Sequence, residues 1–204
     1  MATPNNPFQK RGSNHGRSGN KARSNKHAAS SKAMIKDESE LDALLAGTKD
    51  PLVLILDCIQ DPHNLGACLR SANGAGVDAV IIPKDKAAPV TDVAIKVSCG
   101  GASHTPIFRI TNLARTMDNL KKHGLWIAGT SDHLGTQNIY ETDLSGPLAL
   151  VMGSEEKGMR QLTRDKCDYL LSIPMAGFVE CLNVSVATGV TLFEIVRQRK
   201  AAQS

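Results

Sequence analysis

The chain has 204 residues, 41% of them apolar, and no apolar run near the roughly 18 residues a membrane span needs, which suits a single domain with a proper core. Five cysteines, at 58, 68, 99, 167 and 181, form no C-x-x-C pair; this odd, unpatterned set argues against a disulfide framework or a metal site and for a reducing, cytoplasmic setting. The net charge of +4 is a property of the N-terminus: residues 1–35 carry seven Lys or Arg and no acid, leaving 17 basic against 20 acidic residues elsewhere.

Residues 1–35 are rich in Asn, Ser, Gly, Lys and Arg, with Phe8 their one aromatic. Such a segment buries too little apolar surface to offset its ordering entropy and reads as a disordered tail. Spaced positive charge suits a phosphate backbone. Were all seven charges to engage single-stranded RNA, the salt slope would reach about −5. The blander alternative is a solubilising tail. Residues 36–50 read as a short helix and linker. Ser39-Glu40-Leu41-Asp42 resembles a capping box opening a helix over 38–46, with Leu41, Leu44 and Leu45 on one face. Gly47–Pro51 ends it, and the folded domain, 51–204, is expected to start at Pro51.

From there the pattern alternates. Leu52–Leu56 is a continuous apolar run, as in a strand buried on both faces. Asp61-Pro62-His63-Asn64 is a helix-start signal, and Leu65, Cys68, Leu69, Ala72 and Ala75 carry the helix to about Gly76. Strands are expected over 77–82, 105–110, 125–130, 148–152 and 169–173. Helices are expected over 90–98, with Gly100-Gly101 as its stop, and over 113–123 and 162–167. Residues 131–146 read as loop. The final helix follows the irregular Pro174–Asn183 loop, with Leu182, Val186, Val190, Phe193 and Val196 as its apolar stripe. Strands alternating with helices predict an α/β fold, a mostly parallel sheet with helices on both faces. Ligands of such sheets sit beyond the carboxyl ends of the strands. Three loops with unusual chemistry leave strand ends there: 57–64, 153–158 and 174–183.

Two formal motif matches fail on context. Gly74-Ala-Gly76-Val-Asp-Ala79 fits a dinucleotide fingerprint but ends a helix and enters a strand, the reverse of what that motif needs. Gly153-Ser-Glu-Glu-Lys-Gly158 opens like a phosphate loop, yet Met159-Arg160 stand where Lys-Ser/Thr belong, and Glu155 and Glu156 would repel a triphosphate. An acidic, Gly-flanked loop suits a neutral or positive ligand such as a sulfonium methyl donor. Asn64 and Arg70 lie six apart on the first domain helix. An Arg near a helix N-terminus opposes the dipole, which suggests a ligand, and its fork suits phosphate. His63, His104, His123 and His133 show no metal-ligand spacing.

Three stretches, Asp61-Pro-His-Asn-Leu-Gly-Ala-Cys-Leu-Arg70, Met152-Gly-Ser-Glu-Glu-Lys-Gly158, and Ile173-Pro-Met-Ala-Gly177 with Leu182-Asn-Val-Ser-Val-Ala187, stand in an order that resembles the SpoU/TrmH branch of the SPOUT RNA methyltransferases. The bacterial 23S rRNA guanosine-2'-O-methyltransferases are the nearest group, and the resemblance covers Pro51–Arg199. It implies a C-terminal trefoil knot, an exception to the rule against threading. It also implies a homodimer with active sites near the subunit interface. The expected cofactor is S-adenosyl-L-methionine, held at Gly153, Ile173 and Leu182, with Thr130, Met175 and Ser131 as further pocket-wall positions. The expected catalytic set is Asn64, Arg70, Glu155 and Asn183. The expected reaction is methyl transfer to a ribose 2'-hydroxyl of structured RNA, 23S rRNA first and tRNA second. A guanidinium is effectively never deprotonated in a protein, so Arg70 is read as gripping a phosphate and stabilising an alkoxide, not as a base.

The chain departs from the family pattern at Cys181, where Ser is usual, and Glu180 before it adds a charge. It also shows a basic tail where the ribosomal enzymes carry a folded RNA-binding domain. Cys181 and Glu180 favour the alternative reading, a non-catalytic RNA-binding or ribosome-assembly protein on the same scaffold; the intact Asn64, Arg70, Glu155 and Asn183 oppose it. Seven aromatics in 204 residues make a base-stacking platform a poor fit, so RNA contact is expected to be electrostatic.

Overall fold

The computed structural model describes residues 32–131, 135–154 and 158–203. Their strands are β1 (Ile35–Lys36), β2 (Leu52–Leu56), β3 (Ala79–Pro83), β4 (Ile107–Ile110), β5 (Trp126–Thr130), β6 (Gln137–Asn138), β7 (Leu148–Met152) and β8 (Tyr169–Ser172). The helices are α1 (Leu41–Ala46), α2 (Pro62–Gly74), α3 (Asp92–Val97), α4 (Gly101–His104), α5 (Leu113–Lys122), α6 (Gln161–Asp165) and α7 (Val184–Ala202).

The strands form one sheet in the order β1-β4-β3-β2-β7-β5-β8-β6, and every neighbouring pair is parallel. The central strand β2 shows why it is apolar throughout. Leu52, Leu54 and Leu56 face a core with Leu65, Cys68 and Leu69 of α2 and Leu192 and Ile195 of α7. Val53 and Ile55 face the other side, with Leu41 and Leu45 of α1 and Leu113, Met117 and Leu120 of α5. Each fully buried side chain of this size contributes about 1.5–3 kcal/mol, and side chains alternate across the pleat, so a two-faced core demands an unbroken run.

Local chemistry sets the helix ends. Asp61 caps α2 by accepting from the His63 amide at 3.0 Å, with Pro62 at the first helical position. Asn112 caps α5 and Asn183 caps α7 in the same way. Gly101 packs α4 directly on α2: a Cβ there would stand 2.6 Å from the Leu69 carbonyl oxygen.

Several expectations need correction. The folded structure begins before Pro51, within the expected tail. The Met34 amide donates to Ala102 O and the Ile107 amide to Met34 O, both at 2.8 Å, and Ile35 pairs with Ile107. A two-residue edge strand has no period to detect. The capping box lies two residues earlier than expected. Asp37 accepts from the Ser39 amide, and the Glu40 carboxylate accepts from the Asp37 amide. A 3₁₀ turn, Glu38–Glu40, then leads into α1. Gly100 stops one helix, but Gly101 begins another. The 131–146 loop contains β6. The buried face of α7 is Val184, Thr188, Thr191, Leu192 and Ile195, whereas Val186 and Phe193 are 50% and 51% exposed. Apolar residues surround much of this helix, and Thr188 enters the core because its hydroxyl donates to Val184 O at 2.7 Å, which hydropathy does not register.

Candidate active site

Four strands end together in the middle of the sheet: Leu56 of β2 is level with Met152 of β7, and Thr130 of β5 with Leu171 of β8. The loops leaving them line two adjoining cavities of about 240 and 680 Å³, which share Ser154, Gly158, Met159 and Val184.

The smaller cavity is lined by all six positions expected to contact the cofactor: Thr130, Ser131, Gly153, Ile173, Met175 and Leu182. Met152, Leu171 and Ala187 add apolar wall, and Arg164, Glu180 and Cys181 add polar groups. Glu180 and Cys181, the departures within the last loop, therefore both lie on this cavity. The loop after β7 folds tightly on itself. Ser154 and Gly158 exchange two backbone hydrogen bonds, at 3.1 and 2.8 Å. A Cβ on Gly153 would stand 2.3 Å from Gly158 C and 2.4 Å from Met159 N, so only glycine permits this closure.

The larger cavity is lined by Cys58, Gln60, Asp61, Asn64, Lys86 and Arg160 among others. Asn64 and Asn183, 119 residues apart in the chain, meet here: Asn183 Nδ2 donates to Asn64 Oδ1 at 3.0 Å. The Asn183 Oδ1 meanwhile accepts from the Ser185 amide at 3.0 Å and the Ser185 hydroxyl at 2.6 Å. One side chain thus caps α7 and ties the last loop to the start of α2. Two non-glycine residues on this cavity, Cys58 and Lys86, hold left-handed backbone at φ 63 and 59°, a strain of about 1–2 kcal/mol each.

Of the two other expected residues, Arg70 stands apart. Arg70 is exposed on α2 and lines neither cavity. It lies one turn before Gly74, whose Cβ position is 3.7 Å from Phe193 Cζ, so it shares the outward surface that carries the half-exposed Phe193. Glu155 lies outside the described residues, as does the basic segment 1–31.

Asp57 belongs to none of the three motifs. Its carboxylate is fully buried, accepting from Arg160 N at 3.0 Å, Nε at 2.8 Å and Nη2 at 2.6 Å. The pair fastens the end of β2 to the loop after β7. Burial opposes the Arg160 charge, but the hydrogen bond and charge of Asp57 outweigh it and raise the guanidinium's pKa. An acid directly after an all-apolar strand was the available signal. The nearby thiols are held protonated. Burial raises Cys58 and pushes Cys167 up to about 12. Among the described residues no three His, Cys, Asp or Glu side chains gather as a metal-ligand set, and no helix is long and apolar enough to cross a membrane.

Fold and site together define a parallel α/β protein with a glycine-cradled ligand crevice at its strand ends, joined to a second cleft by paired asparagines. A model of the SpoU rRNA Methylase family matches residues 51–193, and the chain belongs to that family. It is 58% identical over 164 residues to the 23S rRNA (guanosine-2'-O-)-methyltransferase RlmB of Haemophilus influenzae, covering 80% of this chain and 66% of that protein. The Pasteurella multocida RlmB is 60% identical over 166 residues, 81% of this chain and 67% of the relative. The chain thus spans about two thirds of the length of these relatives. Among solved structures, the SpoU methyltransferase AviRb from Streptomyces viridochromogenes in complex with AdoMet aligns with TM-score 0.69 at 30% identity, covering 76% of this chain and 60% of that one. The A. aeolicus TrmH/SpoU tRNA modifying enzyme aligns with TM-score 0.69 at 27% identity, covering 81% and 85%.

Proposed function

We propose that the chain is the catalytic unit of an S-adenosyl-L-methionine-dependent RNA ribose 2'-O-methyltransferase acting on guanosine of 23S rRNA, and so in the cytoplasm. The observation that carries this reading is the smaller cavity. All six expected cofactor positions converge on it from three loops, and Gly153 permits the close backbone approach its wall requires. Its apolar side suits a nucleoside and Glu180 suits a cation, so the residues present fit the cofactor. When bound, the cofactor supplies an activated methyl group on a sulfonium. The protein's own part is then mainly positioning. The Asn64–Asn183 pair holds the two cavities in register and orients the acceptor ribose in the larger one. Arg70 grips the neighbouring RNA phosphate with its fork and stabilises charge developing on the 2'-oxygen. The proton leaves to phosphate or water. Glu155 completes the set from the loop after β7.

Arg70 performs this role at a homodimer interface. The outward face of α7, with Val186 and Phe193 half exposed and Phe193 resting over Gly74 of α2, is the apolar surface that a second copy would cover. The chain's path supports a trefoil knot: β8 enters the sheet between β5 and β6, and α7 then returns to pack on α2 beneath the central strands. Residues 51–204 form the methyltransferase domain, and the basic residues before it add electrostatic attraction to RNA.

Calorimetric titration with S-adenosyl-L-methionine, followed by methyl transfer to 23S rRNA and to tRNA, tests the reading. One site per chain and transfer to rRNA are expected. No binding at millimolar cofactor would leave an RNA-binding scaffold in its place, and transfer to tRNA alone would replace the substrate.

A further inference from the structure

Arg164 reaches from α6 into the wall of the smaller cavity. Its Nη2 lies 3.9 Å from the Cβ position of Gly158, on the loop that both cavities share. Its Nε is buried and has no hydrogen-bond partner among the described residues. Other arginines of the fold differ. Arg160 gives Nε and Nη2 to Asp57, and Arg197 gives Nε and Nη2 to Glu194. Arg109 and Arg199 also have an unpaired Nε, but both spend their outer nitrogens on backbone carbonyls.

A guanidinium is a permanent charge with donors in a fixed fork that matches a carboxylate. Leaving one of those donors buried and unpaired is costly, and an anion arriving in the cavity would meet the same guanidinium on the wall and give its charge a partner. The cofactor offers one such group, the carboxylate of its amino-acid end, and it has no phosphate. The rest of the wall divides accordingly. Met152, Leu171 and Ile173 give apolar surface for the nucleoside end, and Glu180 gives negative charge.

We propose that Arg164 is the carboxylate receptor of this cavity and so selects cofactors carrying an intact amino-acid end. The inference rests on the cofactor reading of the cavity. The test is calorimetry on the full chain with two ligands, S-adenosyl-L-methionine and its decarboxylated counterpart, for the natural protein and for Arg164→Gln. The natural protein is expected to favour the carboxylated ligand by about 10- to 100-fold, the range of charge-assisted hydrogen bonds. Arg164→Gln should remove that preference while binding the decarboxylated ligand within about twofold of the natural protein. Equal weakening of both ligands would overturn the proposal and make Arg164 a support of the loop. So would a natural protein that binds both ligands alike, a result that needs no folded variant. Arg164→Lys, which keeps the charge and loses the fork, should retain part of the preference. If the natural protein bound neither ligand, the cofactor reading itself would fall and this inference with it.

Discussion

At the amino ends of the strands, three charged side chains, Asp78, Asp168 and Arg199, are spent on backbone. Asp78 accepts from the Leu52 amide at 2.8 Å, Asp168 from the Ile127 amide at 2.8 Å, and Arg199 donates to the carbonyls of Asp50, Pro51 and Gly146. Lys121 adds an ion pair to Asp168 at 2.6 Å. At the carboxyl ends, only part of the charge is committed. Asp57 and Arg160 satisfy each other, whereas Arg164 lines a cavity with its buried Nε unpaired, and Glu180 stands on the same wall. One helix joins the two ends: α7 starts at Asn183 in the crevice and finishes with Arg199 under the amino edge. The two ends of the sheet divide the labour. Side chains that close off a sheet's orphan amides and carbonyls stabilise the fold, and side chains left without protein partners mark where a ligand is to be met.

Variants can break or sharpen this contrast. The largest effect is expected at Asp57, where the two roles overlap. Asp57→Asn leaves Arg160 without its counter-charge and should cost about 3 kcal/mol of stability. It should also weaken cofactor binding, because the loop between the cavities loses its anchor. Urea unfolding and calorimetry read the two effects separately, and a variant as stable as the natural protein would sink the anchoring role. Next is Arg70→Lys, expected to slow methyl transfer at least about 100-fold with cofactor affinity unchanged. Full activity in that variant would exclude the forked grip on phosphate.

At the amino edge, Asp168→Asn should cost about 1–2 kcal/mol in thermal unfolding, since it weakens a backbone hydrogen bond and an ion pair. Cofactor affinity should stay where it was; a changed Kd would show that the two ends are coupled and blur the division. The smallest effect is expected at Glu180. Its exposed carboxylate should favour the sulfonium cation over the neutral thioether product by about two- to fivefold, and Glu180→Gln should erase that margin. A variant that still discriminates between the two ligands would assign the preference to another group on the wall.

Much of this was legible in the chain because the relevant interactions are local or periodic. The run Leu52–Leu56 reads as a doubly buried strand, and Asp61-Pro62 as a turn and helix start. The family resemblance names six residues that line one cavity, although nothing in their spacing says they converge. The edge strand at Ile35–Lys36 and the inner face of α7 were not legible. The first is made by backbone pairing with a strand about 70 residues away, and the second includes Thr188, whose hydroxyl is satisfied inside the helix.

The sequence by itself determined the alternation of strands and helices, the helix caps, and the family to which its three motifs belong. These depend on periodicity and on side chains acting within a few residues. The tertiary structure decided which charges are spent and which are left over. The Asp57–Arg160 pair spans 103 residues and the Asn64–Asn183 contact 119. Whether Arg164 has a partner follows from how three loops pack together, and that packing has no signature along the chain.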